Sequence, residues 1–376
     1  MRQLQLVVLG AMLMTAVLAC APAASPTPAT STPSSPAATP SSPAATAIAA
    51  PQATTPATAP AATSAPSAAT DKNYTVRIGY PATVRDQPAP IGPDVWALNQ
   101  GLFDAEFKAD GINFQFIPFL AAGPAMNEAI TGGSLDLGTY ADTPGVIGKA
   151  AGVKMSLVAI ANATGPAWLL VRGPSTFQKV TDLKGKKVAT IKATFPHLFL
   201  LDVLKANGMS ASDIELVNMN FADSEAALHA GQVDAIISPG ANALRLMKGG
   251  DRSIYSTDDL PSARGLSVIV ASDSFIAAHP TFFSRYYRAR ARAIDWANAN
   301  HEAALSQLAK ASGPNTTPDV ISQLYPDPTF PFDLAMTPDL IGRIQGTEAF
   351  LREAGLTRQQ VDIDAWINKS VALKPS

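Results

Sequence analysis

Ile112-Asn113-Phe114-Gln115-Phe116-Ile117 is followed by Pro124-Ala125-Met126-Asn127-Glu128-Ala129-Ile130, then Gly132-Gly133, then Ser134-Leu135-Asp136-Leu137-Gly138. The order reads as strand, helix, glycine stop and strand. Upstream, Val76-Arg77-Ile78-Gly79-Tyr80 reads as a strand, and a helix from about Pro93 to Asn99 ends at Gly101. Downstream the unit recurs: Lys187-Val188-Ala189-Thr190-Ile191 as a strand, a helix from about Phe195 to Ala206 stopped by Gly208, and Val233-Asp234-Ala235-Ile236-Ile237 as a strand. Such alternation predicts an α/β fold with parallel sheets. From Pro280 onward the pattern is mostly helical, with one helix starting at Thr337-Pro338 and ending near Gly355.

The folded part begins near Asp71, where aromatics, charges and apolar patterns appear together. The roughly 300 residues that follow suffice for two lobes of ordinary domain size. The preceding residues, 21 to about 71, are almost entirely Ala, Pro, Ser and Thr, with no charge between Ala21 and Ala69. They hold too little apolar surface to offset the entropy of ordering and predict an extended tether, or a glycosylated stalk with the same spacer role. In front of it, the apolar run Leu4 to Ala19 follows Arg2, is short for a membrane span, and stops at Cys20. It reads as an export signal, and Val17-Leu18-Ala19-Cys20 looks like a lipobox whose thiol receives a diacylglyceryl group. The bland alternative is an ordinary secretory peptide that contains a cysteine. Cys20 is the only cysteine of 376 residues, so one chain forms no disulfide.

A formal net charge of −2 and the lack of a basic run give no electrostatic case for nucleic acid. No Gly-x-Ser-x-Gly elbow, His-Glu-x-x-His pair or phosphate-loop lysine motif stands in the chain, and no catalytic, metal or cofactor residue is expected.

In open α/β sheets ligands sit beyond the carboxyl ends of strands, where helix N-termini present unpaired N–H groups. Three such places are legible: Tyr80-Pro81-Ala82 with its loop to Gly92-Pro93; Thr139-Tyr140-Ala141-Asp142-Thr143-Pro144, where Asp142 or Thr143 caps a helix beginning at Pro144; and Lys192-Ala193-Thr194-Phe195-Pro196-His197, where Thr194 caps the next helix. Each also has a plain reading as an ordinary capped helix start. Lys192 favours an anionic ligand, whereas Tyr80, Tyr140, Phe195 and Trp168 offer faces for a flat heterocycle. His197 has an equal reading as a hydrogen-bonded structural residue, and His229, His279 and His301 are scattered on helices or helix starts. Trp96, Trp296 and Trp366 are expected in packing roles.

The order of several segments resembles the sulfonate, nitrate, taurine and thiamine-precursor group of periplasmic binding proteins, the SsuA/THI5-like or NMT1-like family. The matching stretches are Arg77-Ile78-Gly79-Tyr80, Ala122-Gly123-Pro124 through Leu137-Gly138, Ala141-Asp142-Thr143-Pro144 with Ala150-Ala151-Gly152, Asp182-Leu183-Lys184-Gly185-Lys186-Lys187-Val188-Ala189, Leu200-Leu201 to Gly208, and Ala226-Ala227-Leu228-His229-Ala230-Gly231-Gln232-Val233-Asp234-Ala235. The resemblance implies a two-lobed type II periplasmic-binding-protein fold with a ligand cleft between lobes, lobe one being 72–164 plus 268–376 and lobe two 165–267. It further implies an extracytoplasmic lipoprotein, at the outer face of the cytoplasmic membrane or in the periplasm, held by a lipid on Cys20. This monomer would pass a small anion to an ABC permease and its ATPase. Carried onto this chain, the family's ligand contacts fall on Tyr80, Tyr140, Asp142, Thr143, Thr194, His197 and Ser238, with Lys192 nearby. The chain departs from sulfonate binders at Lys192-Ala193-Thr194-Phe195-Pro196 and at Ser238-Pro239-Gly240-Ala241, so the resemblance does not carry the ligand's identity. A receptor for a pyrimidine thiamine precursor or flavin, a THI5-like enzyme, and a ligand sensor are the alternatives. The enzyme would need a cysteine-rich, iron-linked motif that this chain lacks.

Overall fold

The computed structural model describes residues 71–82, 87 and 90–373. The export signal with Cys20 and the tether up to residue 70 lie outside the described residues, as does part of the loop between Ala82 and Gly92. In chain order the strands are β1 (Thr75–Pro81), β2 (Asn113–Phe119), β3 (Leu137–Ala141), β4 (Met155–Gly165), β5 (Ala167–Val171), β6 (Lys187–Thr190), β7 (Glu215–Asn218), β8 (Ala235–Pro239), β9 (Arg252–Ser256), β10 (Gly265–Ser272) and β11 (Phe332–Leu334). They form two sheets, ordered β11-β4-β10-β3-β1-β2 and β7-β6-β8-β5-β9, each the centre of one lobe. The chain passes from the first sheet to the second between Gly165 and Ala167 and returns between Ser256 and Gly265.

The sheets are mixed, which corrects the expectation of parallel ones. β1 runs parallel to β2 and β3, and β6 parallel to β7 and β8. β10, however, is antiparallel to β3 and β4, and β5 is antiparallel to β8 and β9. The chain leaves the first lobe along β4 and comes back along β10, so these neighbours run in opposite directions. Arg343 braces this crossing, donating from Nη1 to the Ala163 carbonyl at 3.0 Å and from Nη2 to the Arg264 carbonyl at 3.1 Å.

Two aspartates set strand register in the same way in both lobes. Asp136 Oδ2 accepts the Arg77 N–H at 2.8 Å, while Asp136 N–H reaches the Arg77 carbonyl. Asp234 Oδ2 accepts the Lys187 N–H at 2.9 Å, and its own N–H reaches the Lys187 carbonyl. Each aspartate ties the entry of one strand to the start of its neighbour. This turn delays β3 and β8, which begin at Leu137 and Ala235 rather than at the expected Ser134 and Val233.

Helix starts match the sequence signals in most places. Thr337 caps the helix Pro338–Glu353 through a 3.3 Å bond from Leu340 N–H. The helix expected from Pro144 instead spans Asp142–Ala150, because Asp142 enters the first turn and accepts the Thr143 N–H at 2.8 Å. Thr194 does precede the helix Phe195–Ala206, but its hydroxyl donates back to the Ile191 carbonyl at 2.6 Å and caps nothing. Gly123 has a steric reason: a Cβ there would lie 2.3 Å from Pro144 Cβ, so the helix Ala122–Thr131 packs directly on Asp142–Ala150.

Each sheet is covered on both faces. The first lobe has an aromatic core around Trp96, Phe103, Phe107, Phe282 and Tyr286, and a second cluster around Met126, Leu157 and Trp366. Trp96 and Trp366 are buried, and Trp296 is partly buried against the same core. The second lobe is smaller and mostly aliphatic. Leu198, from the second lobe's helix Phe195–Ala206, packs into the first lobe's Trp366 cluster.

Candidate functional site

A cavity of about 330 Å³ opens between the lobes, within the range of small-molecule sites. The first lobe contributes Tyr80 at the end of β1, Thr139 and Tyr140 on β3, and Asp94 at the start of the helix Pro93–Asn99. The second lobe contributes Phe195 and the segment Pro239–Asn242, where the helix Gly240–Lys248 begins. Tyr325 and Phe332, from the largely helical end of the chain, complete an apolar and aromatic wall. Gly265 is needed beside Phe195, since a Cβ there would stand 2.9 Å from the ring. The ring therefore lies on the strand that carries the chain back between the lobes.

The two lobes present different electrostatics to this cavity. The second lobe's helices Phe195–Ala206 and Gly240–Lys248 begin with no side-chain cap and no acidic residue in the first turn. The Gly240 N–H is already taken by the Pro166 carbonyl at 3.0 Å and Pro196 has none, but the positive dipole ends of both helices favour an anion. Two of the first lobe's helices begin with carboxylates, Asp94 and Asp142, whereas Ala122–Thr131 begins without a cap or an acid. Burial pushes the Asp142 carboxyl up to about 6, against bonds from Thr347 Oγ1 at 2.7 Å and from the Thr143 N–H.

At the cavity's edge lies a buried ion cluster. Arg290, on the helix Phe282–Ala299, is 1% exposed and holds Asp333 through two bonds, Nε to Oδ2 at 2.8 Å and Nη2 to Oδ1 at 2.6 Å. Its Nη1 lies 2.6 Å from Asp94 Oδ1, which also accepts the Tyr286 hydroxyl at 2.9 Å. Burial raises the Asp94 carboxyl above its ordinary value although Arg290 pulls the other way. Asp333 is held at φ 52, a left-handed backbone that a non-glycine residue keeps only when its surroundings impose it. Among the described lining residues Arg290 carries the only positive side chain, and both carboxylates engage it.

Of the residues expected from sequence, Tyr80 and Tyr140 line the cavity. The Tyr80 hydroxyl donates to the Gln87 carbonyl, and burial pushes it up to about 12. The Tyr140 hydroxyl turns inward, 3.0 Å from Asn127 Oδ1, so its ring and backbone form the wall. Asp142, Thr143, Thr194, His197, Lys192 and Ser238 are not among the described lining residues, although their chain neighbours Ala141, Phe195 and Pro239 are. Asp142 is bonded to Thr143 and to Thr347. His197 Nδ1 accepts the Ala193 N–H at 3.3 Å, and burial followed by the nearby Lys192 charge lowers its pKa. Lys192 is exposed, with its backbone N–H on Asn218 Oδ1. Ser238 Oγ accepts from Asn242 Nδ2 at 2.9 Å, which links it to the wall. Trp168 lies on β5, partly buried against the Leu170 and Leu228 cluster.

Sequence reasoning passed over Asp94, Arg290 and Asp333. Two signals were present. Gly92-Pro93-Asp94 has the proline-and-acid signature of a helix start, as Asp142-Thr143-Pro144 does. Arg290 falls four residues after Tyr286 and between Ala289 and Ala293, on the buried face of its helix.

A family model described as "NMT1/THI5 like" matches residues 96–304. The chain is 31% identical over 241 residues to a protein named for binding aliphatic sulfonates from Escherichia coli (strain K12), covering 63% of this chain and 72% of that one. It is similar in structure to the alkanesulfonate-binding protein SsuA from Xanthomonas axonopodis pv. citri bound to MOPS, with 25% identity and a TM-score of 0.67 over 79% of this chain and 98% of that chain. The desulfurization enzyme DSZB, at 18% identity and a TM-score of 0.57 over 79% of this chain and 97% of that one, shares the fold alone.

Proposed function

The chain belongs to the NMT1/THI5-like family and has its two-lobed periplasmic-binding-protein fold, and from that premise we propose that it is the solute receptor of an ABC importer. It takes a small organic anion of the sulfonate class into the cleft by hinge closure and delivers it to a membrane permease. The observation that carries this reading is the pair of bare helix starts, at Phe195 and Gly240, bordering an otherwise apolar and aromatic cavity. The positive dipole ends of these helices favour an anionic head while the walls take an apolar body. A cavity of about 330 Å³ with such walls suits an organic solute better than nitrate.

Tyr80 and Tyr140 serve as walls. Asp142, Thr143, Thr194, His197, Lys192 and Ser238 lie on the segments that border these walls. The lobes comprise 72–164 plus 268–376 and 165–267, hinged where Arg343 braces both crossings. A receptor rather than an enzyme is favoured by the relative that is 31% identical, named for binding. The aromatic walls at Tyr80, Phe195, Tyr325 and Phe332 favour one second reading, a flat heterocycle such as a thiamine-precursor pyrimidine.

The deciding experiment identifies the molecule that copurifies with the protein by native mass spectrometry, then titrates alkanesulfonates, nitrate and a pyrimidine by calorimetry. A bound sulfonate at about a hundred times its Kd should stabilise the fold by roughly 2.7 kcal/mol, visible as a raised melting temperature. Heat from the pyrimidine with none from any sulfonate would overturn the anion reading. The location rests on Cys20, whose lipidation would anchor the receptor to the membrane through two acyl chains. Cys20→Ser should move the protein from the detergent phase to the aqueous phase or leave its precursor unprocessed; a wild-type protein found wholly in the aqueous phase would rule the anchor out.

A further inference from the structure

We propose that lobe closure takes up a proton at Asp202, so that the receptor closes on its ligand more readily in acid than at neutral pH. This rests on the two-lobed receptor reading above, but not on which solute the cleft takes. The second lobe's helix Phe195–Ala206 starts at the cavity, and its later turns lie against the first lobe. Leu198, Asp202 and Lys205 stand at i, i+4 and i+7, which puts them on one face of that helix. Both flanking residues touch the first lobe. Leu198 packs into the cluster around Trp366, while Lys205 Nζ lies 2.8 Å from Glu353 Oε1 and 5.7 Å from the centre of the Phe350 ring. Asp202 sits between them, so the face that carries it is covered only while the lobes are together.

Burial pushes the Asp202 carboxyl up to about 6, although Lys205 on the next turn pulls the other way and is itself engaged by Glu353. Other charges on the packed elements are occupied elsewhere. On Asp142–Ala150, Asp142 takes Thr143 and Thr347, and Lys149 Nζ donates to the Met155 carbonyl. On Pro338–Glu353, Arg343 lies on the two crossing carbonyls and Arg352 beside Glu348. The strands packed against the helix, Ala167–Val171 and Ala235–Pro239, carry no charge. With the lobes apart the Asp202 face meets water, and its carboxyl returns toward the ordinary value of about 4. The closed form therefore keeps a proton that the open form releases between about pH 4 and about pH 6. This contribution to closure is full below about pH 4 and is lost as pH rises through about 6. Asp142 does not act in this way, because its partners Thr143 and Thr347 belong to its own lobe and stay with it in both forms.

The test compares the full chain with Asp202→Asn, which keeps the shape of the side chain and cannot ionise. Propane-1-sulfonate, anionic throughout, is titrated calorimetrically into each at about pH 5 and about pH 7.5. The wild type should bind about threefold to tenfold more tightly at the lower pH, and Asp202→Asn should lose most of that dependence by binding more tightly than wild type at the higher pH. His197, close to the cavity, also titrates in acid, so the part of the effect lost in Asp202→Asn is the measure. Small-angle scattering without ligand needs no sulfonate: the wild type should be more compact at the lower pH, and Asp202→Asn equally compact at both. Equal affinity of the wild type at both pH values, or a dependence that Asp202→Asn keeps whole, overturns the proposal and leaves the anion reading standing. If propane-1-sulfonate binds neither protein the anion reading falls, and scattering decides: a wild type whose compactness ignores pH, or a variant that responds equally, overturns the proposal. If Asp202→Asn does not fold, Asp202→Ser takes its place.

Discussion

The two lobes face one cavity with opposite chemistry. On the first lobe, two helices start with the carboxylates Asp94 and Asp142, and an arginine is sunk between two acids. On the second, the helices at Phe195 and Gly240 start bare, and the corresponding arginine, Arg245, pairs with Glu225 in a half-buried setting. The contrast teaches that a cleft between lobes need not be uniformly attractive to one charge. One lobe offers helix dipoles to the cavity, the other acidic side chains.

The largest effect that tests this contrast comes from the arginines. Arg290→Met leaves two buried carboxylates unmatched and should cost about 3–5 kcal/mol in urea denaturation. Arg245→Met removes a partly solvated pair and should cost about 0.2–1 kcal/mol. Equal losses would mean that the lobes do not differ as described.

Next in size is a pH effect. Burial pushes Asp142 up to about 6, so the folded protein keeps a proton that the unfolded chain releases above about pH 4. Its contribution to stability is full below pH 4 and is lost as pH rises through about 6. Asp142→Asn, which keeps an acceptor for the Thr143 N–H, should therefore gain about 1–3 kcal/mol relative to wild type between pH 4 and pH 7. Denaturation at both pH values measures this, and a pH-independent difference would contradict it. Asp202, in the second lobe's helix Phe195–Ala206, is also pushed up to about 6 by burial, and Asp202→Asn should show the same sign with a smaller gain because the group is less buried.

The smallest effects belong to the ion pairs that cross between lobes. Lys205 Nζ lies 2.8 Å from Glu353, and Lys248 Nζ 2.7 Å from Asp319, with all four side chains more than half exposed. Lys205→Ala and Lys248→Ala should each leave stability almost unchanged in the same denaturation measurement. Small-angle scattering on the ligand-free variants should show little change in compactness. A marked opening would make these pairs the latch of the closed form and assign less of that role to the ligand.

Local pattern made the strand and helix alternation legible, together with Thr337 as a cap, the Phe195 helix and the buried tryptophans. Strand direction was not legible, because β10 owes its antiparallel setting to a chain that leaves and returns, which no local pattern records. Of the candidate site, Tyr80 and Tyr140 stood out because they end strands. Asp142 and Thr143 stood out for the same positional reason, but their side chains are engaged within the first lobe.

The sequence by itself determined that two α/β halves follow a low-complexity segment, that helix starts gather at strand ends, and that the chain resembles a solute-binding family. These are properties of neighbouring residues, set by periodicity, capping and composition. Only the tertiary structure decided which carboxylates meet Arg290, since Asp333 lies 43 residues away in sequence and Asp94 comes from the opposite end of the first lobe's chain path. Arg285, Arg288, Arg290 and Arg292 share one helix, and composition does not distinguish them. Packing of Tyr286, Ala289 and Ala293 against the core turns Arg290 inward. Once it is desolvated there, it must be matched by acids brought from distant segments, Asp94 and Asp333.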